Sequence, residues 1–253
     1  MEYYVYEDEP KKARRTPKDL GVRFSMSKIM MWLALGLLLT GIMSLTLPDF
    51  CIACCGSENV EALSNCYRAF IITASVIMAF SSVILWMPFV TKDTPWTLVC
   101  YLLFTISMGW LLSSVFLWVR GIDEASSIST LCISFFIAAG AYLIMGLIGA
   151  LSKKNFNIMT PVLFALFVGV LTLSLFSVFD ATGTIYIITD IITFAIILLV
   201  TAIDFNNVKR MASVYPFHNS TSLAIYCAYN LYLDFIYIFV QILFYVVYFR
   251  NRK

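Results

Sequence analysis

Long apolar runs recur along the chain from Ile29 onward, separated by short stretches of polar residues. A helix needs ~20 mostly apolar residues to cross a hydrocarbon core of ~30 Å, because each residue rises ~1.5 Å. The pattern therefore predicts an all-α integral membrane protein, a bundle in which consecutive helices are antiparallel. Seven spans are predicted, with bounds Ile29–Leu47, Ala69–Phe89, Trp96–Val119, Ser129–Leu151, Ile158–Phe179, Thr184–Ile203 and Leu223–Phe249.

The composition agrees with this class. Hydrophobic residues make up 61% of the chain and charged residues 13%, against roughly 45–50% and ~25% in soluble domains. The net charge of +2 gives no reason to expect a nucleic-acid partner. Residues 1–28 differ from the rest, being acidic and tyrosine-rich at first and then basic and interrupted by prolines. They are interpreted as a flexible cytoplasmic tail, and residues 29–253 as one seven-span membrane domain.

The basic residues predict the orientation, because cytoplasmic segments are enriched in Lys and Arg. With the N-terminus in the cytoplasm, the inside segments hold twelve of the seventeen basic residues, and the outside loops hold Arg68 and Arg120. A bacterial plasma membrane is the expected location. The basic end 250–253 would then lie outside after a seventh full span. A re-entrant last segment is therefore an alternative, although 27 residues from Leu223 to Phe249 are enough to cross.

Three acidic residues, Asp190, Asp204 and Asp234, fall within or at the end of the last two predicted spans. A charge at the centre of a bilayer costs ~2.5–3.5 kcal/mol even on insertion scales, so such residues usually face the interior of the bundle. The simplest alternative is a protonated acid that is hydrogen-bonded to a neighbouring helix. Asp190 is predicted nearer the outer end of its span, where it could also reach water.

A polar stripe marks the last span, since Asn230, Asp234 and Gln241 are spaced by four and seven residues and share one helix face. Asp204, followed by Asn207, lies on the preceding antiparallel span, so the two carboxyl groups could meet. Two adjacent carboxylates cannot both ionise cheaply, and a shared proton would hold the helices together at low pH. At higher pH the charges would repel and offer oxygen ligands to a cation such as Ca²⁺.

These residues predict a proton-controlled cation leak. Asp204 and Asp234 are the predicted pH sensors and gating residues, and also transient Ca²⁺ ligands. The residues predicted to support the pair or line the pore are Asn230, Gln241, Asn207 and Asp190. No phosphate-binding loop, nucleophile elbow or cofactor motif occurs in the sequence. The chain is therefore not predicted to be an enzyme or to hold a tightly bound cofactor. Its expected partners are the lipid bilayer, Ca²⁺, protons and, as an open alternative, another membrane protein.

Two segments resemble the transmembrane Bax inhibitor motif family. The run Asn230–Ile236 (NLYLDFI) is similar to the family's last span, where Tyr-Leu-Asp-Phe-Ile-Asn is typical, and Asp204–Lys209 (DFNNVK) is similar to the end of its sixth span. Weaker likenesses occur at Gly149–Thr160 and Phe104–Gly109. The resemblance implies seven helices with the last one central, a pH-sensitive Ca²⁺ leak that uses the two aspartates, and a regulatory role.

The chain departs from the family pattern at identifiable positions. Tyr237 stands where the family has an asparagine, three residues after the aspartate of the last span, and Phe244 stands where it usually has an arginine. The arginine near the end of the second span has no clear counterpart, Lys92 being the nearest cation. These departures affect the expected fine control of gating, and the aspartate pair itself is retained.

Two other functional classes fit parts of the pattern. A non-conducting membrane scaffold that regulates a partner, such as a membrane protease, is compatible with the same spans. An intramembrane aspartyl protease also places two aspartates on adjacent spans, but its second aspartate typically follows a Gly-x-Gly pattern, and Tyr232-Leu233 stands there in this chain.

The cysteines form one further group, with four of them between the first two predicted spans: Cys51, Cys54, Cys55 and Cys66. A disulfide is expected here, because the loop is predicted to lie outside, where oxidising conditions permit it. A four-thiolate metal site is the alternative, although adjacent cysteines suit tetrahedral ligation poorly. His218 is interpreted as a solvated loop residue.

Overall fold

The computed structural model describes residues 22–55, 60–86, 94–122, 127–152, 160–177, 184–214 and 221–250. They form seven α-helices, and no strand occurs among these residues. The helices are α1 Val22–Cys55, α2 Val60–Trp86, α3 Thr94–Ile122, α4 Ser127–Leu151, α5 Thr160–Ser177, α6 Thr184–Val214 and α7 Thr221–Arg250. The predicted all-α class is confirmed.

Every helix except α5 is longer than its predicted span, and α1 and α6 exceed theirs the most. α1 begins at Val22, so the last seven residues of the predicted tail are helical; residues 1–21 lie outside the described ranges. Neither proline nor glycine occurs from 22 to 28 to interrupt a helix. α1 also continues through Pro48 to Cys55, since spanning helices tolerate proline. α6 continues to Val214 and ends two residues before Pro216, where the helical conformation becomes unfavourable.

The longer α1 changes the setting of the cysteines. Cys51 and Cys54 lie on the last turns of α1 and Cys66 lies within α2, rather than on an extended loop. Cys51 is buried and Cys54 is exposed. The disulfide among the four cysteines stays a prediction. The side chain of Cys55 lies outside the described part. Among the described residues there is also no cluster of three or more metal-ligating side chains, which leaves the thiolate site without support.

α7 crosses the whole bundle, antiparallel to α4. The hydroxyl of Tyr142 donates to the carbonyl of Leu231 at 3.1 Å in the first half of α7, and Arg250 at the end of α7 donates to the hydroxyl of Thr130 at the start of α4. The 30 residues of α7 correspond to ~45 Å of helix, more than the ~30 Å of a hydrocarbon core. The last segment is therefore a full span and not a re-entrant one.

Six helices, all except α5, are long and apolar enough to cross a membrane; α5 has 18 residues. α4 and α6 begin at the same end of the bundle. Asp190 near the start of α6 contacts Gln241 near the end of α7. The end of α7 also meets the start of α4, through Arg250 and Thr130. The last turn of α4 contacts α6 around Ala202. α5 must therefore carry the chain back across the bundle, which gives seven crossings.

The last helix is central, as expected. α7 packs against α1, α3, α4 and α6, and sixteen of its thirty residues are buried. A helix that is apolar on every side apart from a narrow polar stripe belongs in the interior of a bundle. The other helices expose large apolar side chains such as Phe80, Ile128 and Phe136. A water-facing surface would not present so many, so this surface contacts the lipid bilayer.

Candidate functional site

Small residues of α4 determine how closely α6 approaches it. A Cβ atom added to Gly149 would lie 2.1 Å from the carbonyl oxygen of Ala202, and one added to Gly146 would lie 2.8 Å from the ring of Phe205. Small residues permit such contact between helices in a membrane, where no hydrophobic force drives association. α4 and α6 are therefore in close contact at Gly146 and Gly149, and this contact fixes the height of Asp204 in the bundle.

The end of α4 is hydrogen-bonded by side chains of α6. Asn206, which is 1% exposed, donates through Nδ2 to the carbonyl of Gly149 at 3.1 Å. Lys209 donates to the carbonyl of Ala150, and Arg210 donates to Oδ1 of Asn206 at 3.0 Å. The last carbonyl groups of a helix lack partners within it and carry partial negative charge. These contacts satisfy them and anchor the part of α6 that bears Asp204.

Asp234 lies within the central helix, with only 6% of its surface exposed. Its Oδ2 atom is buried and has no hydrogen-bond partner among the described residues. A buried ionised carboxylate without partners is strongly unfavourable, because desolvation is not compensated. This part of the structure therefore accommodates Asp234 as a neutral acid more readily than as an anion.

Asp204 lies on the neighbouring helix α6 and is half-buried. The contact between Asp190 and Gln241 pairs the start of α6 with the end of α7, so Asp204 and Asp234 both lie on the other side of that contact, toward the end of α6. Side chains lean toward the start of their own helix. Because α6 and α7 are antiparallel, the two carboxyl groups lean toward each other, and Asp204 lies close enough to act electrostatically on Asp234. The direct pair of Asp204 and Asp234 stays a prediction.

Tyr142 of α4 connects the two acids, a role that the sequence did not reveal. Its ring packs edge-on against Phe205 at 5.2 Å and Phe235 at 5.4 Å between ring centroids. These rings come from the residues that directly follow Asp204 and Asp234. The phenol lies within electrostatic range of both carboxyl groups, and Cys227 of α7 lies within range of Asp204.

A second polar cluster lies farther along α6 and α7. The amide of Gln241 donates to Oδ1 of Asp190 and to the hydroxyl of Tyr245 at 3.4 Å. The hydroxyl of Thr189, next to Asp190, is buried without a hydrogen-bond partner in the described part. Two of the predicted supporting residues, Asp190 and Gln241, are therefore brought together. Asn207 and Asn230 are half-buried.

A third cluster joins α7 to α1 and α3. The hydroxyl of Thr40 lies 2.6 Å from that of Tyr232 and donates to the carbonyl of Thr105 at 3.0 Å. The hydroxyl of Tyr101 donates to the carbonyl of Trp32 at 2.8 Å. The contact between Thr40 and Tyr232 ties α7 to α1, and the other two bonds join α1 to α3. The segment of α7 that carries Asp234 is therefore restrained by α1 as well as by α4 and α6.

The family relationship follows from the comparisons with known proteins. The model of the family described as inhibitor of apoptosis-promoting Bax1 matches residues 22–251. The chain belongs to this Bax inhibitor family. Similar proteins include uncharacterized membrane proteins of Streptococcus pyogenes serotypes M6 and M1, each 26% identical over 152 residues. The matched region is 60% of this chain and 63% of each relative, so it spans somewhat less than two thirds of their length.

The match to the Bax inhibitor family includes both segments on which the resemblance was first based, around Asp204 and Asp234. The two departures in the last span, Tyr237 and Phe244, are both exposed, together with Tyr248. Their spacing of seven and four residues places them along one side of α7. This member of the family therefore has an aromatic, exposed stripe on its central helix where polar residues are typical.

Proposed function

We propose that the chain is a leak pathway for Ca²⁺ whose conductance is controlled by the protonation of Asp204 and Asp234. The observation that carries this proposal is the carboxyl group of Asp234, which is buried in the central helix with Oδ2 unpartnered among the described residues. Intramembrane acidic residues are rare and usually mark ion or proton pathways. Membership of the Bax inhibitor family adds support, because the resemblance implies this activity.

Protonation is expected to stabilise the closed bundle. A neutral Asp234 fits its buried site, and a neutral pair removes the repulsion between the two carboxyl groups. As the pH rises, ionisation places two like charges within electrostatic range. The repulsion, together with the cost of burying an anion, favours separation of α6 from α7. The leak should therefore be small at acidic pH and increase toward alkaline pH.

The ligand set suits a passing ion better than a resident one. Ca²⁺ takes six to eight oxygen ligands, and the site offers two carboxyl groups among the described residues. An ion would keep most of its water while passing Asp204 and Asp234. The cluster of Asp190 and Gln241 provides polar atoms farther along the same helix interface, so the polar groups follow α6 and α7 through the bundle.

Ion flux into liposomes that contain the purified full chain tests the proposal. A Ca²⁺-sensitive dye inside the vesicles should report flux that rises from acidic to alkaline pH. Asp234→Asn should keep the flux at its acidic level throughout, because an amide cannot ionise. The double change with Asp204→Asn should do no more than the single ones if the residues act as a unit. Asp49→Asn is the matched control, since Asp49 is exposed on α1.

Flux of the Asp234→Asn variant that follows the wild-type pH profile would refute the proposal. Vesicles that conduct no Ca²⁺ at any pH would favour the alternative, a non-conducting membrane regulator of a partner protein. The aspartyl-protease alternative is disfavoured by the sequence, because Tyr232-Leu233 precedes Asp234 where such proteases have a Gly-x-Gly pattern.

A further inference from the structure

A cavity of about 710 Å³ lies between α2, α3 and α7. α3 forms its floor, because α2 packs mainly on α3 while α7 packs on α3, α1, α4 and α6. The wall from α2 includes Met78 and Val83, and the wall from α7 runs from Tyr229 to Val240. The volume is in the range of sites that hold small molecules, and nothing in the proposed leak uses this cavity.

The lining is almost entirely apolar and adaptable. Met78 and Met108 contribute flexible thioethers, which adjust to irregular shapes. The hydroxyl of Ser82 donates to the carbonyl of Ala79 in its own helix at 2.9 Å, so it does not require a partner inside the cavity. Cavities with such linings stay dry and accept apolar ligands. The other polar atoms of the lining are the phenol hydroxyls of Tyr229 and Tyr237, which are too few to replace the hydration of an ion.

The mouth of the cavity opens sideways into the hydrocarbon region. Val83 and Tyr237 at its edge are 58% and 55% exposed, and all three walls belong to membrane spans. At this depth the surrounding medium consists of lipid acyl chains. The wall from Tyr229 to Val240 measures about 16 Å at ~1.5 Å per residue, close to the ~15 Å of one leaflet of a ~30 Å core.

We propose that this cavity is a binding site for one acyl chain of a membrane phospholipid, inserted from the bilayer between α2 and α7. The aromatic residue Tyr237, one of the departures from the Bax inhibitor family pattern, forms part of its entrance. The site is independent of the proposed Ca²⁺ leak. It holds a lipid whether or not the protein conducts.

Native mass spectrometry of the full chain in detergent tests the site, with dioleoyl phosphatidylglycerol as the probe. Val83→Trp at the mouth and Val240→Trp on the wall should weaken binding about tenfold or more, because the larger ring occupies the space of the chain. Val76→Trp is the matched control, since Val76 lies on α2, is 64% exposed and is outside the lining. It should bind as the wild type does.

Two further probes identify what is bound. Dihexanoyl phosphatidylglycerol has the same headgroup with chains too short to fill the cavity, and oleic acid has the chain without the headgroup. Binding of the dioleoyl lipid well above the dihexanoyl lipid supports the proposal. Equal binding of the dioleoyl and dihexanoyl lipids would overturn the proposal. So would binding to both cavity variants that is as strong as binding to the wild type, or retention of oleic acid in place of the phospholipid. Val83 is exposed, so its substitution leaves the core intact, and helix content by circular dichroism verifies this.

Discussion

The contact between α4 and α6 gives the sharpest prediction of stability, through the substitution Gly149→Ala. The added methyl group would lie 2.1 Å from the carbonyl oxygen of Ala202, whereas ordinary contact begins at 3.4 Å. The two helices would have to separate by about 1.3 Å. The added methyl group is attached directly to the backbone of α4, and its neighbour is a backbone carbonyl of α6. No flexible side chain can therefore move away to make room. Gly140 on the same helix has no atom within 4 Å of the equivalent position.

The expected loss follows from these contacts. Overpacking of a close contact costs about 1–3 kcal/mol. The separation also stretches the hydrogen bond from Asn206 to the Gly149 carbonyl, which is 3.1 Å long, and an unsatisfied buried group costs about 1–3 kcal/mol. We expect Gly149→Ala to lower the free energy of unfolding by about 2–4 kcal/mol, and the melting temperature by roughly 5–15 °C. Gly140→Ala should leave stability unchanged or raise it by up to ~1 kcal/mol.

Thermal unfolding in detergent, followed with a thiol-reactive fluorophore, measures this difference. Exposed Cys54 reacts at once, whereas Cys227 is fully buried and reacts as the bundle opens, so the second phase reports unfolding. The control variant Gly140→Ala carries the same methyl group on the same helix. If Gly149→Ala melted with the wild type, or if both variants lost stability equally, the close approach of α4 and α6 would be refuted.

Three other predictions concern hydrogen bonds between helices. Tyr142→Phe removes one bond to a carbonyl of α7 and keeps the ring contacts, so unfolding measurements should show a loss of about 0.5–1.5 kcal/mol; a loss as large as that of Gly149→Ala would contradict it. Thr40→Val and Tyr232→Phe break the same 2.6 Å contact, so the double variant should lose at least about 0.5 kcal/mol less than the sum of the single losses. Strict additivity would argue against that bond. Gln241→Leu removes the donor to Asp190 and should cost about 1–3 kcal/mol at neutral pH. An unchanged free energy of unfolding would contradict that hydrogen bond.

The spans could be predicted from the sequence because the thickness of a bilayer imposes a length on every crossing helix. That thickness does not determine where α1 and α6 end, since outside the hydrocarbon region a helix continues as long as nothing interrupts it. The interruptions are local. α6, for example, ends at Val214, two residues before Pro216.

The site was predicted less completely, for a reason that is also physical. The two acids could be identified because a charge within a membrane span is costly, however the helix is positioned against its neighbours. Their separation along the axis depends on how α6 is seated, and that is determined by Gly149 and its contact with Ala202. Asn207 was predicted to support the pair, whereas the residue that contacts α4 is Asn206. Adjacent residues point about 100° apart on a helix, and only the packing reveals that Asn206 faces α4.

The hydrogen bonds from α6 to the end of α4 have a consequence for how the protein is made. Asn206 and its acceptor Gly149 are 57 residues apart in the chain. At synthesis rates of about 5–20 residues per second, α4 leaves the ribosome several seconds before its donors exist. Until then its terminal carbonyl groups need water, which holds the end of α4 at the membrane surface. Arrival of Asn206 and Lys209 replaces that water, so docking of α6 should be the step that fixes the depth of α4 in the membrane.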